Sequence, residues 1–287
     1  MSSTEPDSTD WSEGTPEGRR VIELLWNATA EPVNGRGPKP KIALPQIVQA
    51  GIELADADGL DALSMRKVAA QLGVGAMSLY TYLPGRSELV ELMIDRAYGE
   101  RPLPDRSLPW REQVEQHARE LWALYRSHPW LLDHNLARLP VGPAVLDFEE
   151  SLLAAIAAGG VPPARIFPIS NVITWHLFGM ARAQISDAEE ARHTGVSAEA
   201  YWTARNSFWG TYFDSARYPT MRAIWDAGGF DDPDAQDFDQ VLARLMEAVE
   251  VLVTQAREGG PPTRSGSGGG SGRGGTSTGS GGGSGGG

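Results

Sequence analysis

Apolar residues recur at intervals of three and four along residues 45–95, a spacing that places them on one face of an α-helix. The pattern predicts four helices: Pro45–Asp58, Met65–Leu72, Ala76–Tyr82 and a fourth that begins near Arg86. Ser64 stands before the second helix, where its hydroxyl suits an N-cap. Gly73 follows that helix and suits the left-handed conformation that ends one. The chain is therefore expected to turn sharply between the second and third helices.

The same spacing continues through the rest of the chain. Further helices are predicted over Pro16–Asn27, Trp110–His128, Gly142–Ala158, Ile166–Ile185 and Trp202–Tyr212, and an apolar stripe close to a heptad runs from Phe238 to Val253. The first of these is short and amphipathic and is expected to dock on the body. The sequence therefore predicts an all-α fold.

A helix, a tight glycine turn and a short helix within a three-helix unit form a helix-turn-helix arrangement. In this motif the second helix presents its exposed side chains to the major groove of DNA. With Leu79 facing inward, the third helix leaves six residues toward solvent or DNA: Ala76, Met77, Ser78, Tyr80, Thr81 and Tyr82.

Charge is unevenly distributed along the chain, whose formal net charge is −12. Residues 36–87 carry six Lys and Arg against four Asp and Glu, a local balance of +2. This basic island can touch phosphate although the whole chain is acidic, because salt screens each charge within about 8 Å.

Composition divides the chain into segments and excludes several classes of protein. The predicted divisions are an acidic N-terminal extension (1–35) that is expected to be partly disordered with a short helix, a basic arm (36–43), a helix-turn-helix DNA-binding domain (44–100), a larger ligand-binding and dimerisation domain (101–258) and a Gly/Ser-rich tail (259–287) that is expected to be disordered. The absence of cysteine excludes disulfides, thiolate nucleophiles and zinc fingers. No apolar run approaches the roughly 18 residues of a membrane span, so a cytoplasmic protein with no membrane partner is expected.

The stretch Ser64–Leu83, with Leu79-Tyr80 near its end and a basic residue at Arg86, resembles the TetR/AcrR family of transcriptional regulators. The resemblance covers roughly residues 44–96. It implies a homodimeric, all-helical, ligand-responsive regulator, a repressor by analogy, that binds a near-palindromic operator in double-stranded DNA. The larger domain is expected to resemble that of the tetracycline repressors.

The resemblance also assigns DNA-binding positions. Arg66 matches a position that contacts phosphate or a base, and Tyr80 and Arg86 match phosphate clamps. Base-edge or sugar contacts are implied for Ala76, Met77, Ser78, Thr81 and Tyr82. The chain departs from the family at Gly75, a weaker N-cap than serine or threonine. Ala76 and Met77 offer no hydrogen bonds, so contact with thymine methyl groups is expected there.

A proline-rich segment carrying Arg36, Lys39 and Lys41 precedes the first helix of this domain. Proline keeps such a segment extended, so it is suited to lie along phosphates or to enter a minor groove. A solvated linker with incidental charges is the alternative.

Large flat side chains and hydrogen-bonding groups recur on the inward faces of the larger domain. The candidate ligand-binding residues are His117, Trp130, His134, Trp175, Phe178 and Arg182. Pockets for aromatic or polycyclic molecules are built from such residues, whereas the alternative is an ordinary core. Arg182 needs a carboxylate or an acidic ligand if it faces inward.

The predicted inducer is a small aromatic or polycyclic molecule, such as an antibiotic or a pathway metabolite. Tetracycline repressors hold a drug–magnesium complex with a histidine and a glutamate on the helix that matches Ile166–Ile185. Here His134 is a candidate for the histidine, but Ala183 falls at the glutamate position, so neither metal nor cofactor is expected.

The stripe from Phe238 to Val253 is expected to pair with Ile166–Ile185, where Gly179 and Ala183 permit close approach. Pairing with the same helices of a second copy predicts a four-helix dimer interface, and packing within one chain is the alternative. No phosphate loop or hydrolase motif occurs, so an enzyme is not expected. A small-molecule-sequestering protein of the same fold without operator binding is the rival function.

Overall fold

A computed structural model describes residues 15–27, 42–230 and 237–259 of the chain. In these residues the structure is α-helical and contains no β-strand. The helices are α1 (Pro16–Asn27), α2 (Leu44–Asp58), α3 (Met65–Gln71), α4 (Ala76–Leu79), α5 (Arg86–Tyr98), α6 (Trp110–Ser127), α7 (Pro143–Ala158), α8 (Pro163–Thr194), α9 (Ala198–Thr203), α10 (Ser207–Thr211), α11 (Pro219–Asp226) and α12 (Phe238–Glu258), with 3-10 turns at Leu60–Ala62, Pro129–Asp133 and Leu136–Arg138. The predicted all-α fold is confirmed.

Helices α2 to α5 form a small unit whose buried residues are part of a core that continues into the larger unit. The Ser64 hydroxyl accepts a hydrogen bond from the Lys67 amide at 3.3 Å and caps α3, as predicted. Gly73 adopts φ +68°, the left-handed conformation that favours glycine, and turns the chain toward α4. Leu79 is fully buried, so α4 is anchored by the residue that the sequence analysis placed inward.

Helix α4 is shorter than the predicted Ala76–Tyr82, because the helical pattern ends at Leu79. The chain then tightens: the Tyr82 amide donates to the Leu79 carbonyl at 2.9 Å. The Thr81 hydroxyl donates to the Ser78 carbonyl at 2.7 Å. This bond satisfies a carbonyl oxygen that would accept a backbone hydrogen bond if the α-helix continued.

Helix α1 docks on the body as expected. Leu25 is buried, α1 packs against α5, and the Trp26 indole donates to the Val141 carbonyl at 3.0 Å.

The larger unit is built on α6, α7, α8 and α12. Helix α8 spans 32 residues, longer than the predicted Ile166–Ile185, and ends at Gly195 with φ +73°. The predicted helix Trp202–Tyr212 is wrong in detail, because the chain forms two short helices there, α9 and α10. The sequence analysis missed α11.

Helix α12 packs against α8 within one chain, as the apolar stripe predicted, and also against α6. The Trp122 and Phe238 rings stack with centroids 4.8 Å apart. Arg111 and Glu250 form an ion pair of 2.5 Å across the α6–α12 contact.

Within the described ranges, no single helix is long and apolar enough to cross a membrane. The bent pair Pro143–Ala158 and Pro163–Thr194 passes that test only when its two helices are taken together.

Candidate DNA-binding surface and ligand cavity

The α3–α4 pair presents one continuous exposed surface. Val68 and Leu79 anchor the two helices in the core, so the opposite faces point outward. Met77 is 77% exposed and Tyr80 is 44% exposed, and Ser78 and Thr81 are exposed beside them; Ala76 is half-buried. This surface carries apolar and hydroxyl groups together.

Arg66 lies exposed on α3, next to the α4 surface. Its neighbour Lys67 forms an exposed ion pair of 3.7 Å with Asp58 of α2. Such a pair contributes little to stability because both partners remain solvated. Both cations are therefore accessible to an anionic partner.

Two of the expected DNA-contacting residues have partners within the chain. The Tyr82 hydroxyl donates to the Ile42 carbonyl at 2.9 Å, and the ring is half-buried. Arg86 donates from Nε to the Leu63 carbonyl at 3.0 Å and from Nη2 to the Leu60 carbonyl at 2.6 Å. Tyr82 and Arg86 thus hold the segments before α2 and before α3 in place, a structural role that the sequence analysis did not predict.

The basic-arm residues Arg36, Lys39 and Lys41 lie outside the described residues.

The six candidate ligand residues do not share one cavity. His117 lies in the core of α6, where its Nδ1 is 3.0 Å from the Ser151 hydroxyl and its ring is 4.2 Å from that of Phe148. Burial lowers the pKa of His117 to about 3, so the imidazole is neutral. His117 is a core residue, and its assignment to a shared pocket is corrected on this geometry.

Trp175 does not lie on an inward face of the single chain, where it was expected. It is 64% exposed on α8, on the outward side of the helix. Phe178 is half-buried and meets the Tyr125 ring edge-on at 6.0 Å. His134 follows the 3-10 turn, and its Nε2 lies 2.8 Å from the Arg138 carbonyl. Apolar spacing identified helix α8 correctly but did not resolve which of its aromatic residues face inward.

Two of the six, Trp130 and Arg182, line one cavity of about 440 Å³. We call it the seam cavity, because its walls come from the last turn of α2, the 3-10 turn Pro129–Asp133 and the second half of α8. Arg182 donates from Nη1 to the Leu132 carbonyl at 2.8 Å and to the Asp133 carboxylate at 2.6 Å. Arg182 is therefore paired with a carboxylate, but both side chains are exposed and the arginine is not buried as an inward residue would be.

A polar cluster that the sequence analysis missed joins the two units beside this cavity. The Trp130 indole donates to Asp56 at 2.7 Å, and His128 Nδ1 lies 2.8 Å from the same carboxylate. His128 Nε2 lies 3.1 Å from Glu100. No spacing rule links Asp56 to residues more than 70 positions away, so only the folded chain reveals the cluster.

A second polar link joins α5 to α7. The Asp95 carboxylate accepts a hydrogen bond from the Val145 amide at 3.0 Å, in the first turn of α7. Burial raises the pKa of Asp95, and the hydrogen bond from Val145 opposes that rise by stabilising the charged form. The small unit is thus tied to the larger one by side chains of both α2 and α5.

The structure brings together no group of three or more His, Asp or Glu suited to a metal ion among the residues it describes.

Comparison with known proteins places these features in a family. Residues 102–253 match the tetracyclin repressor-like C-terminal domain, and residues 47–93 match the bacterial regulatory proteins of the tetR family. The chain is 40% identical over 253 residues to the HTH-type transcriptional repressor DrrR1 of Streptomyces coeruleorubidus, covering 87% of this chain and 92% of the relative. It is 31% identical over 182 residues to an HTH-type transcriptional regulator of Saccharopolyspora erythraea, covering 63% of this chain and 73% of the relative.

Solved structures share the fold. The structure of apo ActR from Streptomyces coelicolor superimposes with a TM-score of 0.62 at 23% identity, covering 76% of this chain and all 100% of that chain. The structure of ActR in complex with actinorhodin gives a TM-score of 0.59 at 23% identity, covering 76% of this chain and 96% of that chain.

Proposed function

This chain belongs to the TetR family of bacterial transcriptional regulators, and we propose that it is a repressor that a small aromatic or apolar molecule releases from a near-palindromic operator. Members of the family regulate transcription through a helix-turn-helix domain and are not enzymes. The observation that carries the proposal is the exposed α3–α4 surface, on which Met77 and Tyr80 stand beside Arg66. We place the protein in the cytoplasm, where it has access to DNA.

The proposed DNA interface has α4 in the major groove. Base or sugar contacts are assigned to Ala76, Met77, Ser78, Thr81 and Tyr82, and phosphate contacts to Arg66, Tyr80 and Arg86. Tyr82 and Arg86 contribute chiefly by positioning, since their hydrogen bonds to backbone carbonyls support the approach to α2 and α3. The basic arm with Arg36, Lys39 and Lys41 is assigned to the phosphate backbone or the minor groove.

The proposed dimer uses the exposed face of α8 together with α12. Phe167, Val172 and Trp175 are exposed along α8, and Val251 is exposed on α12. Exposed apolar side chains in such number favour a protein partner. A second copy is the proposed partner, because binding to a palindrome requires two recognition helices about one DNA turn, ~34 Å, apart. On this account Trp175 is an interface residue and not a pocket residue.

The proposed ligand enters the larger unit beside Trp130 and Arg182, the two candidate residues that meet in the seam cavity. The TetR family protein ActR has been solved in complex with actinorhodin, and this precedent supports a small-molecule ligand for the present chain. Release from DNA requires that the ligand bind better to a state in which the recognition helices are wrongly spaced.

Footprinting on the DNA that flanks the protein's own gene tests the proposal. Wild-type protein is expected to protect two half-sites, and Met77→Glu, which adds a negative charge at an exposed position, is expected to remove protection without lowering the melting temperature. Thermal-shift screening of aromatic natural products then identifies ligands, each retested for release of the footprint. Ligand binding by a protein that protects no DNA would favour the rival sequestering function.

A further inference from the structure

The seam cavity is shared between the two units of the chain. Asp56 and Asp58, in the last turn of α2, form one side, whereas Arg182 and Ser186 of α8 form another. Because α2 belongs to the unit that carries the recognition helix, an occupant of this cavity touches the DNA-binding unit directly.

Asp56 has one occupied and one open carboxylate oxygen. Both of its hydrogen bonds, from Trp130 Nε1 at 2.7 Å and with His128 Nδ1 at 2.8 Å, end on Oδ1. Oδ2 accepts no hydrogen bond from the part of the chain that the structure describes. Asp56 lines the cavity, and a carboxylate oxygen without a donor is a strong acceptor for an amine or hydroxyl group.

We infer that the seam cavity is an effector site in which Asp56 Oδ2 receives a hydrogen-bond-donating group, an amine or a hydroxyl, of the ligand. The volume of about 440 Å³ lies within the range of small-molecule sites. The regulatory meaning of this site rests on the proposed function, whereas its occupancy and its effect on α2 do not.

The last turns of α2 are connected to the helix-turn-helix by side chains. Gln71 of α3 donates to Glu53 at 2.7 Å, and Lys67 of α3 pairs with Asp58 at 3.7 Å. Helix α3 in turn packs against α4. A ligand donor that binds Oδ2 weakens the hydrogen bonds that Asp56 accepts from His128 and Trp130. A resulting shift of α2 reaches α4, the recognition helix, through the contacts of α2 with α3 and of α3 with α4.

Covalent tethering tests the inference without knowledge of the natural ligand. The chain has no cysteine, so Ser186→Cys places a single thiol on the cavity wall. The thiol is converted to a mixed disulfide with aminoethyl, ethyl or sulfonatoethyl methanethiosulfonate, which differ chiefly in charge. Leu146→Cys, exposed on α7 outside the cavity, is the matched control for the position of the thiol.

Hydrogen exchange of α2 to α4 and affinity for a duplex selected from a random-sequence library are the two measurements. The aminoethyl adduct at position 186 is expected to change amide exchange in the last turn of α2 and to change duplex affinity about tenfold, within the usual span of allosteric coupling. The ethyl and sulfonatoethyl adducts are expected to have at most about a twofold effect. Asp56→Asn should abolish the selective effect of the aminoethyl adduct, whereas Glu189→Gln, which removes a different carboxylate from the cavity wall, should preserve it.

Equal effects of all three adducts, or an undiminished aminoethyl effect in Asp56→Asn, would overturn the inference. The two measurements separate it from the proposed function. A change in hydrogen exchange in a protein that retains no duplex would count against the proposed function alone. Duplex binding that no adduct alters, with unchanged exchange in α2, would count against the effector site alone.

Discussion

The buried imidazole of His117 makes the stability of the protein depend on pH, and His117→Gln should remove that dependence. His117 Nδ1 lies 3.0 Å from the Ser151 hydroxyl, which itself donates to the Phe148 carbonyl at 2.6 Å. Since the Ser151 proton is engaged there, Nδ1 must be the donor to Ser151. The imidazole is neutral, and its burial lowers its pKa to about 3.

The magnitude follows from linkage between protonation and folding. In the unfolded chain the histidine pKa is about 6.5, so between about pH 6.5 and 3 the unfolded state binds a proton that the folded state does not. The stability contributed by the neutral His117 is therefore present above about pH 6.5 and is lost as pH falls. Each pH unit in this window costs about 1.4 kcal/mol, which gives a loss of about 2.7 kcal/mol at about pH 4.5.

Urea unfolding between pH 7.5 and 4.5 measures this loss. His117→Gln keeps a hydrogen-bonding side chain that does not titrate, so its stability should fall less with acidification than the wild-type value, by about 2.7 kcal/mol at about pH 4.5. His176→Gln, at an exposed position of α8, is the control and should follow the wild type. If wild type and His117→Gln lost stability in parallel, the imidazole would not be the buried neutral group described above.

Three further predictions concern the helix-turn-helix and the dimer. Gly73→Ala should destabilise the protein by about 1 kcal/mol in thermal unfolding because of its φ of +68°, whereas Gly75→Ala, with φ −72°, should not. Arg86→Lys should cost roughly 1 to 2 kcal/mol of unfolding free energy by removing hydrogen bonds to two carbonyls, and a loss no greater than that of Arg66→Lys would contradict this role. Trp175→Glu should convert dimer to monomer in sedimentation at unchanged helix content, and a retained dimer would exclude the proposed interface.

Local signals made the small unit predictable. The Ser64 cap and the left-handed Gly73 both act within a few residues of the chain, and the structure has both where they were expected. The end of α4 was not predictable in the same way. Tyr82 belongs to the helical pattern in sequence, but its amide and hydroxyl are drawn to the Leu79 and Ile42 carbonyls in the folded unit.

The ligand site depended on tertiary contacts, which periodicity does not encode. Apolar spacing placed His117, Trp175 and Arg182 on helices that do exist, yet one is core, one is surface and one lines the seam cavity. Asp56 had no predicted role, because its partners His128 and Trp130 are distant in sequence.

The segment between α8 and α12 was the least predictable. The sequence predicted one helix here, Trp202–Tyr212, but the aromatic residues of the segment lie on several short helices and most of them are exposed, Trp202, Phe208 and Trp225 among them. Several of these aromatic side chains pack against one another, such as Trp209 against Trp225 with ring centroids 5.0 Å apart. Their spacing in the sequence therefore does not follow the period of a helix packed on a core.

The salt dependence of binding to a selected DNA duplex tests the central claim most directly. Wild-type protein is incubated with a random-sequence duplex library, and the affinity of the retained duplex is measured as salt is raised. The account predicts two half-sites whose centres lie about one DNA turn, ~34 Å, apart, with affinity that falls steeply with salt and is lost in Met77→Glu. Failure to retain any duplex at low salt, or equal retention by Met77→Glu, would contradict it.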